Sequence, residues 1–321
     1  MTTVWHEPYG FKWFRQTMRY DLIRSLKAFC PPTTLRTLVL QIGSPSVDIA
    51  EDPPLPATED GGTTDALGSA FHHAVACIGN LEHLVFHGEV DDSFFWPYST
   101  DKPEPFWQSL KTLTITMDLT LPSGDLYFRD EFYDRCVRAS KNPWVTSKWP
   151  EETGSLPPGY GDKPASKQSV ERLSEMEGRQ REIQVYAIPD GYNDQLDSDD
   201  EDAVAPKVHK LSMVNRPAMT TLLEAIIKSV AQMKSLEHLR LGGVRRDFWA
   251  MEFNAPGIRS DLDRFVDTQE HDNPLAYARV YMRRVIWTPD DTTLDKFREM
   301  AVQKYGREAI ITFIDQKHLF P

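Results

Sequence analysis

The chain has 321 residues, 40% of them hydrophobic and 11% aromatic, which is enough apolar material for a buried core and argues against an intrinsically disordered protein. Its formal net charge is −12, and six acidic residues between Asp194 and Asp202 account for half of that excess. This balance disfavours binding to nucleic acids or anionic membranes, because both require clustered Lys and Arg.

Cysteine usage and the N-terminal sequence bear on the cellular compartment. Cys30, Cys77 and Cys136 are far apart and show no C-x-x-C spacing, so neither a disulfide framework nor a zinc cluster is indicated. The N-terminus lacks the basic and apolar regions of a secretory signal, and no apolar run approaches the roughly 20 residues that span a bilayer. We therefore expect a soluble protein of the cytoplasm or nucleus.

The first predicted unit is a helix followed by a strand. Apolar residues recur at helical spacing from Met18 to Phe29 before Pro31-Pro32 ends the pattern. Leu35, Leu38 and Leu40 then fit an LxxLxL frame, which is typical of the strands of leucine-rich repeats. A polar, Pro-rich insertion between Asp48 and Thr64 separates this unit from the next.

The tetrapeptide LEHL occurs twice, each time after a predicted amphipathic helix. The first helix runs up to Ile78 with Thr64 or Asp65 as its N-cap, and the second begins at Asn215 and Pro217 and runs up to Met233. The LxxLxL frame follows both helices, as Leu81, Leu84, Phe86 after the first and Leu236, Leu239, Leu241 after the second. A further copy of the frame is Leu110, Leu113, Ile115.

A helix and an LxxLxL strand cannot bury an apolar face alone, so such units stack strand beside strand. The sequence therefore predicts an α/β fold, specifically an irregular leucine-rich-repeat-like solenoid of helix–strand units with long loop insertions. In this fold the leucines at the first two frame positions are buried along neighbouring strands; they are Leu35, Leu38, Leu81, Leu84, Leu110, Leu113, Leu236 and Leu239.

Three parts of the chain are distinguished. Residues 1–143 carry the N-terminal units, and residues 144–206 form a Pro-rich, acidic and partly disordered insertion, in which Ile183–Ile188 is a candidate strand. Residues 207–321 carry the last unit and a closing cap continuous with 1–143; the cap comprises a strand from Ala278 to Trp287, a helix from Thr292 to Tyr305 ending at Gly306, and a strand from Ala309 to Ile314. Within the insertion, Ser198 precedes an acidic run and is a candidate phosphorylation site.

Sequence motifs of catalysis are absent: we find no nucleotide-binding glycine loop, metalloprotease helix, nucleophile elbow or kinase set. His72, His73, His83 and His87 lie close together with Cys77, but no pair has a known ligand spacing, so the sequence favours structural roles over a metal site. Cys77 is expected to be a buried, inert thiol. No cofactor is predicted.

These observations favour a protein-binding scaffold that works without metal, nucleotide or chemistry. The candidate contacts are the outward residues between the buried leucines, with two tryptophans as aromatic anchors: Arg36, Thr37, Glu82, His83, Lys111, Thr112, Glu237, His238 and Arg240, and Trp96 and Trp107. Two alternatives stay open. One is an enzyme whose site is built from the insertions, and the other is a degenerate paralogue without a partner.

Several segments resemble the leucine-rich C-terminal region of filamentous-fungal F-box proteins. They are Trp5-His6-Glu7-Pro8-Tyr9, Phe106–Leu113, Leu121–Phe128 and, after an acidic spacer, Thr221–Leu239. In that family an N-terminal F-box docks on the Skp adaptor of a cullin ubiquitin ligase, and the leucine-rich part is presumed to hold the substrate. The resemblance therefore implies substrate recognition for a ubiquitin ligase.

The chain departs from this family at its start. Nothing before Trp5 resembles an F-box, and Phe11–Phe29 lacks the Leu-Pro-x-Glu opening of one. We accordingly expect either a truncated N-terminus or an F-box-less relative, with Skp and cullin subunits as partners only if an F-box exists upstream.

Overall fold

A computed structural model describes residues 2–6, 12–29, 34–43, 65–97, 107–118, 120–123, 125–129, 213–243, 249–266, 273–284 and 287–315. Within these ranges helices and strands form an α/β fold, which confirms the predicted class. None of the helices in the described part of the chain has the length and apolarity needed to cross a membrane.

The first half of the described chain contains strand β1 (Thr2–His6), helix α1 (Lys12–Lys27), strand β2 (Thr37–Gly43), helix α2 (Ala66–Ala76), strand β3 (His83–Gly88), the short helix α3 (Asp92–Phe95) and strand β4 (Thr112–Met117). Asp65 caps α2 by accepting a hydrogen bond from the Leu67 amide, which is one of the two caps that the sequence offers. The four-residue helix α3 has no counterpart in the sequence prediction.

The second half begins with two short paired strands, β5 (Phe128–Arg129) and β6 (Met213–Val214). Helix α4 (Arg216–Gln232), strands β7 (His238–Gly243), β8 (Ala250–Asn254) and β9 (Arg279–Arg284), helix α5 (Asp291–Tyr305) and strand β10 (Ile310–Asp315) follow. The prediction placed α4, β7, β9, α5 and β10 correctly within a few residues but missed β8. Gly306 ends α5 in the left-handed conformation (φ 76°), as expected of a C-terminal glycine.

The main sheet has the strand order β1-β2-β3-β4-β7-β8-β9-β10. Strands β1, β2, β3, β4 and β7 are mutually parallel, β8 is antiparallel to both of its neighbours, and β10 is parallel to β9. The leucine frames are in register, because one row of paired residues joins Leu38, Leu84, Leu113 and Leu239. The next inward row joins Leu40, Phe86, Ile115 and Leu241.

Helices pack in one layer against the face of the sheet that carries these rows. Contacts link α1 to α2, α2 to α3, α3 to α4 and α4 to α5, and apolar residues of the helices and strands share one continuous core. Of the eight leucines predicted to be buried, seven are buried and Leu35 is partly buried against the core. We call the opposite face of the sheet the outer face.

Several predictions lie outside the described residues. They concern the insertion between Asp48 and Thr64, the segment 144–206 with its strand at Ile183–Ile188, and Ser198.

Candidate functional site

The two copies of LEHL occupy equivalent places in the sheet. Leu84 of the first copy pairs with Leu113, which in turn pairs with Leu239 of the second copy. His83 and His238, one position earlier, belong to the outer face and lie on either side of Thr112. The repeated tetrapeptide therefore marks one structural position that recurs in two strands separated by a single strand.

Four residues of alternating charge precede strands β2, β3, β4 and β7; we call Arg36, Glu82, Lys111 and Glu237 the charge ladder. Their backbones are joined in one repeated pattern, in which the carbonyl oxygens of Arg36, Glu82 and Lys111 each accept two amides from the next unit, at 2.8–3.0 Å. Arg36 donates to Glu82 through its guanidinium, and the Nζ of Lys111 lies 2.9 Å from Oε2 of Glu82. The register thus places these charges side by side.

Contacts within the ladder change the pKa of its members. The hydrogen bond from Lys111 is the largest cause that lowers the pKa of Glu82, and the guanidinium of Arg36 adds to it. The same contact raises the pKa of Lys111, to which the negative charge of Glu237 contributes. At neutral pH the first three members are therefore charged and neutralise one another in part.

A second polar cluster lies on the outer face where β7 meets β8. Oε1 of Glu252 accepts hydrogen bonds from Oγ of Ser260 at 2.5 Å and from Nδ2 of Asn254 at 2.9 Å, and Nε2 of His238 lies 3.5 Å away. Burial opposes the charge of Glu252, but the hydrogen bonds from these three side chains overcome it and lower its pKa to about 2. The carboxylate is therefore a fixed, satisfied anion at neutral pH.

The order of groups in this cluster differs from that of a nucleophilic triad. A triad joins a hydroxyl to an imidazole, with the carboxylate behind the imidazole. Here the hydroxyl of Ser260 donates to the carboxylate itself, and Ser260 also caps the 3-10 turn Asp261–Phe265 in a capping box with Asp263. This geometry holds a polar wall in place, with the hydroxyl hydrogen directed at the carboxylate and not at an imidazole.

The C-terminal part of the outer face is covered by the chain itself. Val266, Tyr281, Ile310 and Ile314 form a small apolar cluster. Leu262 and Phe265 of the 3-10 turn Asp261–Phe265 pack against it, as does Tyr277, which follows the 3-10 turn Pro274–Ala276. Beneath them Arg279 has no exposed side-chain surface. It donates to Oδ1 of Asp263 and to the carbonyl oxygens of Ile258, Pro274 and Tyr277, which ties the covering segment to β9.

An open cleft of about 1400 Å³, which we call the outer cleft, lies between this cover and the uncovered strands. Its floor includes residues of β4, β7 and β8, and its wall includes Ile258 to Asp263. Several predicted contact residues line it, namely Thr112, Glu237, His238 and Arg240. The remaining ones, Arg36, Thr37, Glu82, His83 and Lys111, lie on or beside β2, β3 and β4, outside the cleft lining.

One of the two predicted aromatic anchors is misplaced. Trp107 is 4% exposed, its Nε1 donates to the carbonyl of His72, and its ring lies 5.0 Å from the His72 ring, so it is a core residue with no face for a partner. The chain before β4 places Trp107 on the helical side of the sheet, against His72 of helix α2. Trp96 is partly buried and packs against the core.

The histidines near α2 and β3 lie in different surroundings in the fold. His72 is buried on the helical side, where burial lowers its pKa to about 4, and its Nδ1 lies 3.2 Å from the Phe94 carbonyl. His83 is exposed, and Nε2 of His87 lies 3.5 Å from Asp118. Across the described ranges no three His, Cys, Asp or Glu side chains are grouped so as to hold a metal ion.

Cys77 is exposed, so the expectation of a buried thiol was wrong. Helix α2 ends at Ala76, and Cys77 occupies the C-cap, where the chain turns away from the apolar side of the helix. The helical periodicity used in the prediction had already ended at this residue.

Sequence analysis missed Glu252, Asn254 and Ser260, which line the cleft together with residues of β4 and β7. The alternation of Met251 and Phe253 with polar residues is the available signal, and it spans only the five residues of β8. Comparisons with protein-family models, with curated proteins and with solved structures found no match to this chain.

Proposed function

We propose that this chain is a non-catalytic scaffold that binds another protein on the outer face of its sheet. The observation that carries this proposal is the set of outward rows of mainly polar residues formed by β2, β3, β4 and β7. One row joins Thr37, His83, Thr112 and His238, and the next joins Val39, Val85, Thr114 and Arg240. The members of these rows are exposed or partly exposed.

Rigid presentation supports a role in recognition. Side chains held at fixed spacing by a hydrogen-bonded sheet lose little conformational entropy when a partner binds. Val85, 36% exposed, is an apolar residue near the middle of this polar surface. A central apolar contact within a polar rim is a common arrangement in protein–protein interfaces.

We also propose that the helix–strand units belong to an irregular leucine-rich-repeat-like solenoid. The common LxxLxL frame, the parallel pairing of its four strands and the repeated backbone hydrogen bonds of the charge ladder support this proposal. The antiparallel strand β8 interrupts the pattern, and in this proposal β8, β9, α5 and β10 close the array.

The specific form of the proposal is substrate recognition for a Skp–cullin ubiquitin ligase in the cytoplasm or nucleus. Its support is the resemblance of the chain to the leucine-rich region of fungal F-box proteins. It requires an F-box upstream of Trp5, whereas the general scaffold proposal does not.

Two matched variants test the proposed surface. Val85→Asp places a charge in the middle of the outer face, and Val302→Asp places the same charge on helix α5, where Val302 is 44% exposed. The wild-type chain and both variants, first shown to have similar melting temperatures, are used to capture partners from a fungal lysate. We expect a specific partner to be lost with Val85→Asp and retained with Val302→Asp.

The captured proteins then separate the forms of the proposal. Skp and cullin subunits would support the ligase role, and a different specific protein would support the general scaffold. A partner that Val302→Asp abolishes and Val85→Asp retains would contradict the choice of surface. Capture of nothing by the folded wild-type chain would contradict the proposal as a whole.

A further inference from the structure

The charge ladder, which borders the outer face, is self-complementary. Its members on β2, β3, β4 and β7 are Arg36, Glu82, Lys111 and Glu237, so the sign of the charge alternates from strand to strand. Neighbouring strands lie roughly 4.8 Å apart, which sets the spacing of these charges. Reversing the order of the strands converts the row of signs into its complement. The ladder of one chain therefore matches the reversed ladder of an identical chain.

Symmetry selects one arrangement of two such chains. Identical chains pair most often about a two-fold axis, and each residue in the contact then meets its counterpart reciprocally. With the axis parallel to the strands and between β3 and β4, Arg36 meets Glu237 of the second copy, and Glu82 meets Lys111. An axis through β3 itself would oppose Glu82 to Glu82 and Arg36 to Lys111. Only the first axis brings all four charges against opposite charges.

The two end members of the ladder have charge to offer to a second copy. The side chain of Arg36 is 68% exposed although it contacts Glu82, and Glu237 is exposed and makes no ion pair among the described residues. Glu82, in contrast, already contacts both Arg36 and Lys111. The new electrostatic contact would therefore come mainly from Arg36 and Glu237 of the second copy, a pair that occurs twice in each dimer.

The remainder of the outer face fits the same arrangement. Val85 on β3 and Thr114 on β4 are neighbours in the sheet, so both lie beside the axis, and Val85 faces Thr114 of the second copy. This places an apolar contact at the centre of a mainly polar surface, as in many protein–protein interfaces. In the described sheet, β8 would face the edge strand β1 of the second copy, and the covered strands β9 and β10 would extend past that edge.

The size of the contact indicates a weak dimer. Strands β3, β4 and β7 have six residues each and β2 has seven. Four such strands form a patch of roughly 19 Å by 20 Å, or about 400 Å² on each copy. Stable interfaces bury about 800 Å² on each partner. We therefore expect reversible association that depends on protein concentration.

We propose that the outer face binds a second copy of this chain, face to face, about a two-fold axis parallel to the strands and between β3 and β4. The two charge ladders meet with opposite charges opposed, and Val85 lies at the centre of the contact. This inference rests on the proposed function, because it uses the same face, and it names one partner of that face.

An exchange of charge between two variants tests the proposal. Arg36→Glu and Glu237→Arg each bring like charges together across the axis, so each variant alone should dimerise at least about tenfold more weakly than wild type in sedimentation velocity. An equimolar mixture of the two restores opposite charges in both pairs, so we expect its dimerisation to return to within about threefold of wild type. The double variant Arg36→Glu with Glu237→Arg should recover in the same way.

Two further variants complete the test, and all variants are first shown to have melting temperatures similar to that of wild type. Arg24→Glu is the matched control, because Arg24 is exposed on helix α1, on the helical side of the sheet, and this variant should dimerise as wild type does. Val85→Asp should weaken the dimer, and neither charge variant should rescue it when mixed with it.

Three results would overturn the inference. The first is a wild-type chain that stays monomeric from about 5 to about 500 μM. The second is a dimer that survives both single charge reversals, which would place the contact elsewhere. The third is a mixture of Arg36→Glu and Glu237→Arg that stays monomeric although both variants are folded.

Failure of this inference is distinguishable from failure of the scaffold proposal. A monomeric wild-type chain that captures a lysate protein, and loses it with Val85→Asp, would leave the scaffold standing and remove the second copy as an occupant of the face. A dimer that follows the charge exchange but captures no other protein would keep the dimer and refute the scaffold.

Discussion

Two regions of the sheet differ in what covers their outer face. We call strands β2, β3, β4 and β7 the parallel region, and strands β8, β9 and β10 the C-terminal region. In the parallel region the outward positions carry Thr, His, Val and Arg, and they are exposed or partly exposed. In the C-terminal region they include Tyr281, Ile310 and Ile314, which are buried under the chain's own 3-10 turns. The large apolar side chains of the outer face thus lie beneath a cover, whereas the open surface is mainly polar with Val39 and Val85 within it.

The two regions also bury charge in different ways. In the C-terminal region Arg279 meets one carboxylate and three carbonyl oxygens, so its donors have acceptors on several sides. On the helical side of the parallel region, Arg19 faces three acidic side chains near the starts of α2 and α3. It contacts Asp65 at 2.5 Å and Glu89 at 3.4 Å, and Asp91 lies beside Asp65. Within the part of the chain that the structure describes, the first arrangement joins one cation to one carboxylate, and the second brings more carboxylates than cations together.

The largest effect is expected from Arg279→Ala, which removes the buried cation that joins the cover to β9. Asp263 and three carbonyl oxygens would lose their donor, so unfolding free energy should fall by about 3–5 kcal/mol in chemical denaturation. Arg240→Ala is the control on the open face, where we expect a change within about 0.5 kcal/mol. Similar losses in both variants would remove the distinction between the covered and open regions.

Leu239→Ala tests the in-register core of the parallel region. Leu239 is fully buried, and shortening it should cost about 2–5 kcal/mol of unfolding free energy, because a cavity is left beneath the sheet. Val85→Ala on the outer face is the matched control and should change the stability far less. A thermal unfolding midpoint unchanged by Leu239→Ala would contradict the assignment of this leucine to the core.

These contrasts also show what could be predicted from the sequence. The leucine frame, the helical periodicity and the caps at Asp65, Asn215 and Gly306 are local signals, and they placed most helices and strands β2, β3, β4 and β7 correctly. Strand β1 was not predicted. Strand β8 was missed because five residues with two apolar positions give too weak a pattern. Helix α3 has only four residues, and its sequence pattern is weaker still.

The candidate site was harder to predict than the fold. Alternation along a strand points to outward residues within the leucine frame, and the outward rows include Thr37, His83, Thr112, His238 and Arg240. The four charge-ladder residues precede the strands, so alternation alone does not place them. Glu252 and Ser260 come together with His238 only through the antiparallel pairing of β7 and β8 and the path of the following chain. Trp107 was misjudged because burial on the helical side depends on tertiary packing with His72 and Phe94.

Asp91 is expected to make stability depend on pH. Burial, together with the nearby charge of Asp65, raises its pKa from 3.8 to about 7. The geometry agrees, because Oγ of Ser93 lies 2.5 Å from Oδ1 of Asp91 and 3.0 Å from the Asp65 carbonyl, yet it has one hydrogen to donate. If the hydroxyl donates to the carbonyl, a protonated Asp91 can donate to Oγ, and both contacts are then hydrogen bonds.

The sign follows from the two protonation states. Between pH 3.8 and about 7 the folded chain holds a proton on Asp91 that the unfolded chain has lost, so this group's contribution to stability falls as the pH rises through that window. Asp91→Asn removes the titration, and its stability relative to wild type should improve between pH 5 and 8, by an amount on the order of 1–3 kcal/mol. Asp295→Asn, at an exposed residue of α5, is the control and should show no such trend. A constant difference between wild type and Asp91→Asn across this range would contradict a raised pKa.

The smallest effect is expected in the charge ladder, where the two LEHL copies can be compared directly. Glu82 is held between Arg36 and Lys111, whereas Glu237 is exposed and, among the described residues, makes no ion pair, with Lys111 as a nearby charge. Glu82→Gln should therefore lower the melting temperature at pH 7 slightly, and more than Glu237→Gln does.

This difference should also depend on pH. Because contacts with two cations hold the pKa of Glu82 below 4.5, the contribution of Glu82 to stability is present above that pH and is lost as the pH falls through the folded pKa. The difference in melting temperature between Glu82→Gln and wild type should therefore vanish in acid. Added salt should also shrink the difference, since Arg36 and Lys111 are at the surface and their charges are screened. A melting temperature that is lowered equally by the two substitutions would show that Glu82 gains nothing from its position between two cations.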